Sequence, residues 1–169
     1  SHSVINLGAA AEDVGLQLTD AELGRLSAGF QSITIGTATL DHVVVNLNEV
    51  SFSDPVAILT PNVGGEIYVN GQITGTGNAS ITLNGTGPSG PLGTGTTAMT
   101  YLSSDIVTEG NSILISGNVI LEGNATIDST DGGGSAVGAD IKIDGTVRSP
   151  VTGVDFSAYA GTAGEIFFN

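Results

Sequence analysis

The sequence predicts an all-β fold, a parallel β-helix with three short strands per coil, and three observations carry that reading. First, residues 112–147 read SILISGNVILEGNATIDSTDGGGSAVGADIKIDGTV, in which apolar runs at 113–115, 119–121 and 125–127 are separated only by small or polar residues. Second, the frame Ile113-Leu114-Ile115-Ser116-Gly117 returns at Ile141-Lys142-Ile143-Asp144-Gly145. It also occurs upstream at Ile67-Tyr68-Val69-Asn70-Gly71, loosely from Ile33, and again from Ile166. Third, the chain is rich in Gly (26), has no Trp, and draws its apolar content mostly from Ile, Val, Leu and Ala. Such a composition suits many short strands with small-residue corners.

The last two frame intervals are 28 and 25 residues, and a period in the twenties with three strands per period is that of a β-solenoid. Stacked coils lie about 4.8 Å apart and place equivalent residues in columns. Ile67, Ile113 and Ile141 are expected in one inward column, with Val69, Ile115 and Ile143 beside it. Asn70, Ser116, Asp144 and Asn169 then occupy the corner, where glycine supplies the turn. The alternative is an antiparallel β-sandwich, since Asn70-Gly71 and Asn84-Gly85 are hairpin signals. Against it, the frame recurs as a whole unit and not as paired hairpins.

In chain order, residues 1–3 read as a tag remnant and 4–169 as a single solenoid domain cut from a longer protein. Residues 4–7 are a strand, and 9–18 a connector of mild helical character. Thr19 and Glu22 form a capping box that opens a short helix at about 20–27, ended by Gly29. Strands are expected at 32–35, 37–40, 43–47, 49–52, 56–59, 66–69, 72–74 and 80–83, with Pro55 and Pro61 at corners. Residues 86–97, with two prolines and four glycines, form a protruding loop. Strands follow at 98–102, 105–107, in the 112–147 stretch, within 152–160 and at 165–168.

Seventeen carboxylates face three cations, Arg25, Lys142 and Arg148, for a net charge of −14. Such a field repels nucleic acid and anionic membranes, and it keeps a repetitive β protein soluble. No cysteine is present, which removes disulfides and thiolate metal sites. No apolar run approaches the roughly 18 residues needed to span a bilayer, so membrane insertion is not expected.

Two segments resemble a known family. Residues 18–29 (LTDAELGRLSAG) followed by Ile33-Thr34-Ile35-Gly36 form one; Ser104 to Gly110 with the repeats at 113–117, 125–129 and 140–147 form the other. They resemble internal repeats of filamentous-haemagglutinin-like bacterial adhesins and exoproteins. The resemblance implies a right-handed β-helical shaft exported to the cell surface or medium. It implies a structural and adhesive role without catalysis, and neighbouring β-helical repeats as partners. A glycan or other cell-surface ligand would be touched weakly, and exposed end coils imply end-to-end self-association. No binding-site residue carries over from the family.

The candidate chemistry is sparse. Polysaccharide hydrolysis on such a fold needs paired carboxylates, and no adjacent Asp pair, His-Gly or Arg-x-Lys pattern occurs. A lyase needs a strong base, and Lys142 and Arg148 have no spacing that pairs them. Asp128 and Asp131, in Asp128-Ser129-Thr130-Asp131-Gly132-Gly133-Gly134-Ser135, are the candidate calcium ligands; the plainer reading is a solvated loop. Glu122 and Asp140 are the carboxylates nearest to it in sequence. Sequons at Asn78, Asn84 and Asn124, the isolated His2 and His42, and paired threonines at 37 and 39, 74 and 76, and 94 and 96 complete the inventory.

Overall fold

The structure, a computed structural model, describes residues 3–8, 15–26, 28–37, 43–60, 64–84 and 98–169. Its elements are β1 (Ser3–Gly8), β2 (Leu16–Leu18), α1 (Asp20–Leu23) and β3 (Ile33–Gly36), followed by five full coils. These are β4 (Val43–Asn48), β5 (Val50–Phe52) and β6 (Val56–Leu59); β7 (Glu66–Val69), β8 (Ile73–Gly75) and β9 (Ile81–Asn84); and β10 (Met99–Leu102), β11 (Ile106–Thr108) and β12 (Ile113–Ser116). Then come β13 (Asn118–Leu121), β14 (Ala125–Asp128) and β15 (Ile141–Asp144), and last β16 (Val147–Arg148), β17 (Phe156–Tyr159) and β18 (Ile166–Phe168).

Each full-coil strand pairs in parallel with the one three places later, which builds three sheets. The first runs β16-β13-β10-β7-β4-β1-β2, the second β17-β14-β11-β8-β5 and the third β18-β15-β12-β9-β6-β3. The fold is thus a parallel β-helix with three strands per coil. Period-two alternation sends every second residue inward. In the first sheet Val45, Ile67, Thr100 and Val119 stack in one inward column, with Leu47, Val69, Leu102 and Leu121 in the next. In the third, Val56, Ile81, Ile113, Ile141 and Ile166 align, as do Ile58, Leu83, Ile115 and Ile143. Most of these side chains are wholly buried, and burying one such Ile or Leu contributes roughly 1.5–3 kcal/mol.

One expectation is corrected here. Ile67 and Val69 do not share columns with Ile113 and Ile115; Ile81 and Leu83 take those places. The corner changes with them. Asp144 pairs with Ser116, and Asn169 donates from Nδ2 to Asp144 Oδ1 at 2.8 Å, whereas Asn70 belongs to another corner and donates to Asn48 at 3.2 Å. Any side of a coil needs apolar residues at alternate positions followed by a polar corner. The same five-residue frame therefore suits two different sides.

The N-terminal end departs from the repeat. β2 pairs with the outer edge of β1, so part of the expected connector is a strand. α1 stands where the second sheet would otherwise begin, with Leu23 buried. Its capping box is present: Glu22 N–H bonds Thr19 Oγ1 at 3.4 Å, and Thr19 N–H bonds Glu22 Oε2 at 3.0 Å. Glu22, held by those bonds, has its carboxyl below the usual range. The helix is shorter than expected, because Arg25 and Leu26 bond back three residues to Glu22 and Leu23, tightening the turn. Gly24 is its C-cap. Gly29 does not end the helix. With φ +125 it donates its N–H to both oxygens of Asp54 (3.0 and 3.1 Å), a buried carboxylate that fixes the chain's return to β3.

Ser3 lies within β1. The expected 86–97 loop, most of the expected strand at 37–40, Pro61, His2 and His42 lie outside the described residues.

Candidate functional site

Three places depart from the repeat enough to hold chemistry. The first is the loop that follows β14. Asp128 is buried, and its two oxygens are committed. Oδ1 accepts from the Thr130 N–H and Oγ1, both at 2.6 Å, and Oδ2 accepts from Gly132 N–H at 2.9 Å. Ser129, fully buried, donates its hydroxyl to Ala139 O at 2.7 Å and accepts from Ala139 N–H at 3.0 Å. These bonds pin both ends of the excursion. Asp131 is exposed, in left-handed backbone at φ +54, with its N–H given to Thr108 O. Its carboxylate lies beside Gly134. Glu122 and Asp140 do not join the two: Glu122 raises the phenol pKa values on the first sheet, and Asp140 Oδ1 accepts from Glu165 N–H at 3.0 Å. Among the described residues, no group of three or more His, Asp or Glu is placed to hold a metal ion.

The second place is the outward face of the first sheet. Asn6, Asn46, Tyr68, Tyr101, Ile120 and Arg148 form one column along it. Asn46 donates to Asn6 at 2.7 Å. The Tyr68 and Tyr101 rings stack with centroids 4.4 Å apart and planes within 5°. Glu66 spans both phenols, accepting from Tyr68 at 3.2 Å and Tyr101 at 3.5 Å. Partial burial, with the Glu66 charge behind it, pushes both phenols above their ordinary pKa. Because the rings stack along the solenoid axis, each spends a face on the other and shows solvent an edge. A sugar ring stacks on aromatic faces, and this pair offers less of that platform than its two rings suggest.

The third place is a shallow apolar depression under α1, lined by Leu23, Leu26, Ile33 and Phe52 among others. Its described lining carries no carboxylate, while the adjoining depression, which shares Leu23, Gly24 and Ser51, is lined by Asp20 and Glu49.

The remaining candidates are dispersed. Lys142 and Arg148 lie on different sheets, and Lys142 is bonded to Asp144 at 3.0 Å. That contact, after the larger effect of the Asn169 hydrogen bond, lowers the Asp144 pKa. Thr74 stacks between Ser51 and Val107, so no threonine ladder runs along this side. Asn78 and Asn124 are exposed in turns, and Asn124 accepts from Asp155 N–H at 2.9 Å.

From sequence, Tyr101 reads as a binding residue at the base of the 86–97 loop and Tyr68 as a packed frame residue, and their grouping with Glu66 is not apparent. Its signal is a shared position, since Glu66-Ile67-Tyr68-Val69 and Met99-Thr100-Tyr101-Leu102 occupy the same side of successive coils. Seeing it requires aligning Thr100 with Ile67, across the insertion at 85–97. Comparison with protein-family models, with curated proteins and with solved structures finds no match to this chain.

Proposed function

We propose that the chain is a structural segment: a non-catalytic β-helical shaft of a large secreted or cell-surface protein, of the filamentous-haemagglutinin-like kind its repeats resemble. The observation that supports this best is the fate of its reactive groups. Asp128, Asp54, Asp144 and Glu66 each spend their oxygens on internal donors. The exposed pair Lys142–Asp144 is bonded to itself and to Asn169. What repeats from coil to coil is inward apolar packing and ladder hydrogen bonding, which give a rod its length and stiffness. An extracellular location and weak contact with surface glycans belong to the same reading. The edge-on tyrosine ladder suits glancing contact better than a deep sugar subsite.

The rival is a polysaccharide-active enzyme on the same scaffold. Incubation with neutral and acidic polysaccharides, each with added calcium and with chelator, separates the two. The shaft reading expects no new reducing ends and no unsaturated products while the circular dichroism spectrum stays native. It also expects the same melting temperature in calcium and in chelator. Product formed by the folded protein would overturn it.

A further inference from the structure

We infer that Tyr68 and Tyr101 form a covalent cross-linking site. A one-electron oxidant, of the kind a haem peroxidase makes from hydrogen peroxide, joins their rings as a dityrosine that staples two successive coils. The inference stands on the geometry of the pair and does not need the shaft reading.

The chain concentrates its oxidisable side chains at this place. It has no Cys and no Trp, one Met and three Tyr. Tyr68, Tyr101 and Met99 share the outward face of the first sheet on adjacent coils, with Met99 in register with Glu66. Asn46 and Ile120 flank the two rings in their column, and neither side chain gives up an electron readily. A radical formed on either ring therefore has the other phenol as its nearest reaction partner in that column. Tyr159 is the contrast. It is 55% exposed, yet it lies on the second sheet in register with Asp128, and no other strand of that sheet carries a phenol.

The geometry suits coupling. In-register parallel pairing sets the two side chains one strand spacing apart, and the rings stack with centroids at 4.4 Å and planes within 5°. Both hydroxyls reach the same Glu66 carboxylate, at 3.2 and 3.5 Å, so the rings point the same way. Turning each ring about its own Cβ–Cζ axis, a torsion with broad wells, swings a carbon ortho to one hydroxyl toward its counterpart on the other ring. Oxidation takes one electron from each phenol while its O–H proton passes to a Glu66 oxygen and on to water. The two phenoxyl radicals then couple. One C–C bond forms between ortho carbons, and the hydrogens on those carbons return as protons to the phenol oxygens. The pair has lost two electrons and two protons, which hydrogen peroxide takes up to become two waters.

The two tyrosines are 33 residues apart, with the 85–97 insertion between them. Their bond would hold the coil β7–β8–β9 to the coil β10–β11–β12 and give a chain without cysteine a covalent staple.

The folded chain is treated with a haem peroxidase and limiting hydrogen peroxide. A second arm uses photogenerated tris(bipyridine)ruthenium(III) with persulfate, a small oxidant that reaches a half-buried ring edge. The expected product is a monomer that has lost the mass of two hydrogens, fluoresces as dityrosine and yields on proteolysis a peptide pair joined between Tyr68 and Tyr101. Its yield should not change on dilution. Tyr68→Phe and Tyr101→Phe should each lower it at least tenfold, Tyr159→Phe should leave it unchanged, and denaturing urea should lower it at least tenfold. Pulled by its ends, the cross-linked chain should release roughly 110 Å less length, the extended span of those 33 residues. Dityrosine confined to covalent dimers, a product that survives either phenylalanine variant, an equal yield in urea, or Met99 oxidised with both phenols intact in both arms would each overturn the inference.

Discussion

Thr100 occupies an inward place between Ile67 and Val119, and its hydroxyl is buried without a hydrogen-bond partner. An unmet buried hydroxyl costs on the order of 1–3 kcal/mol, and valine has nearly the same shape. Thr100→Val is expected to stabilise the protein by about 1 kcal/mol, read as a higher urea midpoint at unchanged m; a lower midpoint would contradict this assignment. At the outward face, Tyr68 and Tyr101 should resist ionisation in an ultraviolet titration past the ordinary phenol range. A phenol whose folded pKa is raised contributes stability that is complete below its unfolded pKa and fades as pH rises through the folded one. The pair should thus support the fold at neutral pH and cease to do so in strong alkali. Glu66→Gln removes a charge that raises both values, so the late-ionising component should move toward the ordinary range; an unmoved titration would remove Glu66 from that role. At this scale the inward residues were legible from period-two alternation. Thr100 was not, because nothing in a Met-Thr-Tyr-Leu run tells a core threonine from a surface one.

At the scale of elements, strands with strong alternation sit within a residue or two of their expected positions. The misplacements have physical causes. The connector before Thr19 contains β2 because the edge of β1 offers Leu16–Leu18 a ladder, a tertiary effect with no local signal. The helix stops at Leu23 because the chain must reach Asp54 and then β3 within a few residues. Sequence alone does not fix the coil phase, because Ile67-Tyr68-Val69-Asn70-Gly71 and Ile113-Leu114-Ile115-Ser116-Gly117 satisfy the same demands on different sides. In the loop after β14, buried Asp128 organises the loop's own donors, Thr130 and Gly132. Asp128→Ala should leave three donors without that partner and cost about 2 kcal/mol, with faster amide exchange confined to residues near 130–132. A variant of unchanged stability would mean the carboxylate does not hold the loop. Gly138, where the same loop lies against the next coil, has φ +62, and a Cβ there would collide with the carbonyl of Ala160. That close approach is why the excursion returns through a glycine.

For the whole molecule, the architecture was far more legible than the activity, for one reason. Inward columns, corners and coil period all leave a periodic trace in the sequence. A surface group such as Tyr68–Tyr101–Glu66 leaves one only after the insertions are removed and the coil phase is known. The same one-dimensional order makes the shaft reading mechanical in content. Each coil touches chiefly the coil before and the coil after, so stability should be lost coil by coil. Pulling the chain by its ends in a single-molecule force experiment tests this most directly. The account expects a ladder of release events, each freeing about one coil, or roughly 80 Å of extended chain for about 25 residues. A single event that releases the whole folded length at once would contradict it, since the protein would then be one indivisible domain and not a stack of coils.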